Sequence, residues 1–177
     1  MKLNLPKTTT LLNRGFVIAF LLLTLLCMQA HEFAHHIVGG ISCGEFGYMT
    51  FNHFWTIEGC SFTGSALAVA AGPLLSYTLM WIGMFLLLKS KRYELLGFCL
   101  IFANLPLGRV FFGADERHAG IIIGTLFAIL LVLPPLITAY RYIKNKQRLF
   151  VFVFFLFVPM AVYDIIALND MSFISLR

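Results

Sequence analysis

The chain has 177 residues, 60% of them hydrophobic and only 12% charged, with a net charge of +5. Soluble domains average about 25% charged residues, so a water-soluble globule of this length could not hide so much apolar surface. The basic residues fall in short clusters between apolar runs, which argues against a nucleic-acid-binding face. There is no internal repeat, low-complexity tract or long linker, so residues 1–177 read as one integral membrane domain.

A membrane-crossing helix needs about 20 mostly apolar residues. Five stretches qualify: 15–39, 63–88, 93–112, 119–140 and 149–168. The expected fold class is therefore an all-α membrane protein, a bundle of five transmembrane helices. Lys2, Lys7 and Arg14 precede the first span; Lys89, Lys91 and Arg92 separate the second and third. Arg141, Lys144, Lys146 and Arg148 separate the fourth and fifth. Alternate loops thus hold ten of the thirteen Lys and Arg residues, which predicts a cytoplasmic N-terminus and an outward C-terminus. The first span reads as a retained helix, because a cut after Ala30 would put bulky Met28 where a leader peptidase needs a small residue. The expected location is a bacterial inner membrane.

The first span carries His31-Glu32-Phe33-Ala34-His35. Histidines four apart lie on one helical face, one turn apart, where both can hold one Zn²⁺. Glu32 sits beside the first ligand and can serve as general base towards a water activated by the metal. Ionisable groups within a membrane span cost several kcal/mol and are functional by default. His36 lies about 100° around the helix and reads as a packing residue or a support to the ligands. His31 is about 24 Å beyond Gly15 at 1.5 Å per residue, in the outer half of the membrane. The third span runs the same way, so Asp115 emerges at a similar depth. Candidates for a third ligand are Asp115, Glu116, His118 and, in the fifth span, Asp164.

The connection from 40 to 61 has no Lys or Arg, and its Tyr48–Thr56 stretch is aromatic and β-prone. It reads as an interfacial aromatic belt anchored by Trp55, or as a short extramembrane hairpin able to hold an extended peptide. Cys43 and Cys60 flank it and could pair in an oxidising compartment; Cys27 and Cys99 read as packing residues. Arg109, near the outer end of the third span, could neutralise Asp164 or Glu116 or contact a substrate carbonyl, but is expected to snorkel to the interface; Asp164 is expected to join a salt bridge. Pro134, Pro135 and Pro159 are expected to kink their helices. Small residues Gly64, Ser65, Ala68, Ala71 and Gly72 suit the second span to close helix packing.

Three elements, in order, resemble the site-2 protease family of intramembrane zinc metalloproteases over roughly residues 15–118. They are His31-Glu32-Phe33-Ala34-His35, the Ala71-Gly72-Pro73 stretch of the second span, and Asn104, Pro106 and Asp115 of the third. The resemblance implies that His31, His35 and Asp115 ligate Zn²⁺, that Glu32 is the base, and that Asn104 binds substrate backbone or stabilises the oxyanion. Asn104 also reads as an interhelical hydrogen-bonding residue. The implied activity is hydrolysis of peptide bonds in a membrane-protein substrate, with the lipid bilayer as the other partner. Two other readings stay open. A catalytically silent relative would bind membrane proteins, and a metal-ion or proton transporter would need polar residues along a continuous path, which the apolar second and fourth spans do not offer.

Overall fold

The computed structural model of the chain describes residues 11–112, 115, 118, 120–143 and 147–168. Helix α1 spans Arg14–Cys43 and leads into a hairpin of β1 (Tyr48–Met49) and β2 (Phe54–Trp55). Then come α2 (Phe62–Lys89), α3 (Glu94–Ala103), a π-helical turn (Gly108–Phe112), α4 (Ile121–Tyr142) and α5 (Arg148–Leu168). Five segments among the described residues are long and apolar enough to cross a membrane, with α3 and the following turn counted together as Glu94–Phe111. Their bounds fall within a few residues of the expected spans. Glu116, Lys2, Lys7, Lys144 and Lys146 lie outside the described residues.

Local chemistry sets the helix ends. The Asn13 side chain accepts from Gly15 N (2.9 Å) to cap α1, and Ser61 Oγ accepts from Gly64 N (3.1 Å) to cap α2. Gly44 ends α1 with a φ of 84°, a left-handed conformation that a side chain would strain. The hairpin is antiparallel, with Tyr48 opposite Trp55 and Met49 opposite Phe54. A disulfide joins Cys43 to Cys60, closing the loop that carries it.

Between apolar helices in lipid, burial of oily surface contributes little, and close approach of backbones does the work. Gly64, Ala68, Gly72 and Ser76 recur every four residues on α2 and are all buried, so α1 can pack directly on this stripe. Ser65 and Ala71, also expected on the packing face, are only partly buried. A second close approach joins α2 to α3, where a Cβ on Gly83 would meet the Gly97 carbonyl at 2.6 Å. Elsewhere the core is aromatic. Phe20 of α1, Phe98 of α3 and Phe155 of α5 meet edge to face, with centroids 4.8 Å (Phe20–Phe155) and 5.1 Å (Phe98–Phe155) apart. The outward faces are apolar too, with Ile121, Ile122, Leu130 and Phe150 largely exposed.

The third span differs from the continuous helix expected over 93–112. It breaks after Ala103, because Pro106 has no N–H for the Phe102 carbonyl and disfavours helix at the residue before it. Leu105 N donates to the Phe102 carbonyl instead (3.1 Å), and Leu105 itself takes a φ of 49°. A second proline leaves a similar gap in α4: Pro135 cannot donate to the Leu131 carbonyl. The Trp81 indole of α2 fills it, donating to Leu131 O at 3.0 Å. Trp81→Phe should therefore strand that carbonyl and cost about 1–3 kcal/mol, read as a lowered unfolding temperature in detergent.

Candidate metal centre

The two histidines of α1 point at α2, and that helix decides how their rings stand. His35 Nδ1 donates to the Ala68 carbonyl at 2.7 Å, so its proton is on Nδ1 and the Nε2 lone pair is available. His31 Nδ1 lies 3.0 Å from Ser76 Oγ. Such contacts on the far ring nitrogen orient histidines as metal ligands. Gly72 sits beneath both rings. A Cβ there would overlap His35 Nε2 and come within 2.7 Å of His31 Cε1. On the other side, Phe54 of β2 stacks on His35, with centroids 4.1 Å apart and planes 7° from parallel. The hairpin is thus a wall of the site, more than the interfacial belt that composition favoured. The Gln29 side chain fastens it by donating to the Phe51 carbonyl.

Asp115 completes the group. Its Oδ2 is 3.2 Å from His31 Nε2 and 3.3 Å from His35 Nε2, and the two Nε2 atoms are 3.0 Å apart. Burial pushes the Asp115 carboxyl up, but the two neighbouring imidazoles outweigh it and hold the group well below the usual carboxylate range. Zinc bonds of about 2.0–2.1 Å at tetrahedral angles set ligand atoms about 3.3 Å apart. Two imidazoles and an ionised carboxylate at these separations therefore fit Zn²⁺ in size and donor chemistry, leaving one position for a reactant. Among the described residues, this is the one group of three His, Cys, Asp or Glu side chains able to hold a metal.

Two cavities meet at the group. One, of about 390 Å³, is lined among others by His31, Glu32, Asn52, Arg109, Asp115 and Asp164. The second, of about 460 Å³, lies between the hairpin and α2 and includes Glu32, Asn52, Asp115 and His118. Glu32 is buried at 8% exposure yet borders both. Asp164 lies on the first cavity's wall, outside the donor group. His118 is exposed on the wall of the second.

Asn104 is not brought to either cavity. It is fully buried, and its amide donates to the Leu100 carbonyl one turn back in its own helix (2.8 Å). Arg109 does not reach outward as a snorkelling side chain would. Its side chain is only 10% exposed and turns inward, with Nη1 3.0 Å from His31 Nε2 and Nη2 donating to Met28 Sδ (3.8 Å). His36 is buried against Phe46, centroids 5.2 Å apart, which fits a packing role.

Sequence reasoning missed Ser76 as a ligand support and Gly72 as the floor of the site. The signal was there: with Gly64 and Ala68 they continue one small-residue stripe at four-residue spacing. No such pattern marked Asn52 or Phe54.

No protein-family model, curated protein or solved structure matches the chain.

Gly72→Ala should displace both imidazoles and lower bound zinc, measured by metal analysis, while circular dichroism stays helical. Ser76→Ala should leave fold and ligands in place but weaken zinc affinity by about 10- to 100-fold, read by chelator competition.

Proposed function

We propose that the chain is a zinc-dependent endopeptidase that hydrolyses peptide bonds of membrane proteins at or within the bilayer. The observation that carries this reading is the convergence of His31, His35 and Asp115 within hydrogen-bonding distance of one another beside a buried glutamate that borders two cavities. Bound there, Zn²⁺ supplies Lewis acidity, polarising the scissile carbonyl and making hydroxide available near neutral pH.

The chain's own residues do the rest. Glu32 takes a proton from the attacking water and passes it to the amide nitrogen as the C–N bond breaks. Ser76 and Ala68 keep the imidazoles in register, so little reorganisation accompanies reaction. The hairpin lies along the second cavity, where an extended peptide can pair with β2 and present its carbonyls. A helical substrate segment must unwind to do so, because its carbonyls are engaged internally.

The loop charges put the N-terminus in the cytoplasm and the site in the outer half of the membrane. The Cys43–Cys60 disulfide agrees with that orientation, since such bonds persist on the oxidising side. A bacterial inner membrane is the setting we assign.

Metal analysis of the detergent-purified chain tests this reading first. About one zinc per chain is expected, lost in His35→Ala and Asp115→Ala. Glu32→Gln should keep its zinc and lose hydrolysis of membrane-protein substrates. A Glu32→Gln protein as active as the wild type removes Glu32 from the mechanism, and a chain that takes up no zinc removes the mechanism altogether.

A further inference from the structure

An acyl-transfer site needs a donor for the negative charge that develops on the carbonyl oxygen. Asn104, the residue expected to provide it, is buried away from both cavities and donates to Leu100. Arg109 stands where Asn104 does not. Arg109 lines the cavity that also includes Glu32, and its Nη1 is 3.0 Å from the His31 nitrogen that faces the donor group. Among the described residues, it is the one Lys or Arg on a wall that carries Glu32, Asp115 and Asp164.

The backbone is built to put it there. Leu105 holds a left-handed φ of 49°, which costs a non-glycine residue about 1–3 kcal/mol. Arg109 N then donates to the Leu105 carbonyl (3.1 Å), and the π-helical turn Gly108–Phe112 carries the side chain inward. Leu105 and Gly108 border the same cavity. A straight helix would have placed Arg109 elsewhere on its circumference, free to snorkel. Single π-turns and strained residues concentrate at functional sites. Asp115 Oδ2 is 3.9 Å from Arg109 Nη1, within ion-pair range, and closer to the two histidine Nε2 atoms, at 3.2 and 3.3 Å.

We propose that Arg109 is the oxyanion donor of this site, a catalytic residue that hydrogen-bonds the scissile carbonyl oxygen from the cavity wall shared with Glu32. This rests on the peptidase reading above. As water attacks the carbonyl carbon, the C=O π pair moves onto oxygen. An Arg109 N–H donates to that oxygen until the pair returns, the C–N bond breaks and the amine leaves with the proton from Glu32. The guanidinium holds its charge throughout, so no proton is drawn from it.

The test uses the full chain in detergent, loaded with Co²⁺ in place of zinc and titrated with a phosphonamidate dipeptide bearing apolar side chains. Its tetrahedral oxyanion imitates the reacting carbon. The visible Co²⁺ spectrum reports both metal retention and probe binding. Arg109→Met should keep its cobalt and bind the probe about ten- to a hundredfold more weakly than wild type. Should Arg109→Met not fold, Arg109→Lys, which keeps charge but loses the planar fork, should show the same direction with cobalt retained. Unchanged probe affinity in the folded variant overturns the proposal and leaves the metal site standing. Cobalt loss in the variant overturns it too, making Arg109 a support of the ligands. A wild type that takes up no cobalt overturns the peptidase reading and this proposal with it.

Discussion

The α1–α2 seam is the constraint on which the rest of the structure depends. Two histidine rings are buried between apolar helices, at 2% and 1% exposure, and a buried polar atom without a partner is costly. The seam resolves this by contact. Gly64, Ala68 and Gly72 have so little side chain that the α2 backbone comes up to the rings. The Ala68 carbonyl and Ser76 hydroxyl then engage the two Nδ1 atoms. With one nitrogen of each ring committed, the other two can only face a common point.

Everything else in the site is brought to that point from farther along the chain. The hairpin supplies Phe54, stacked on His35, and the Cys43–Cys60 disulfide ties its base to the ends of α1 and α2. The broken third span supplies Arg109 and Asp115. That break has the same origin as the Trp81 contact to Leu131: a proline removes an N–H from an apolar helix, and the orphaned carbonyl must find a donor. In α4 a tryptophan indole supplies it and the helix continues. In the third span the chain itself supplies it, and the helix stops.

Much was legible in the sequence because membrane helices declare themselves. With no water to satisfy backbone groups, each span must be long, apolar and internally hydrogen-bonded, so composition alone located five within a few residues. The His31–His35 pair was legible for a related reason: four-residue spacing on a helix leaves little freedom in how two side chains relate. Asp115 was one of four candidates for the third position. Depth brought it into range, but no periodicity connects residues 84 positions apart.

What the sequence determined by itself, then, was everything carried by a single helix: the spans, the paired histidines, the glutamate beside them, and the small-residue stripe of α2. Tertiary structure alone decided which distant residues join them. It selected Asp115 for the donor group, left Asp164 on the cavity wall, withdrew Asn104 into its own helix, and turned Arg109 inward. The reason is physical. Helical position is set by local backbone geometry, whereas the direction of Arg109 depends on a left-handed Leu105 and a π-turn. Such irregular backbone persists only where surrounding packing over-determines it.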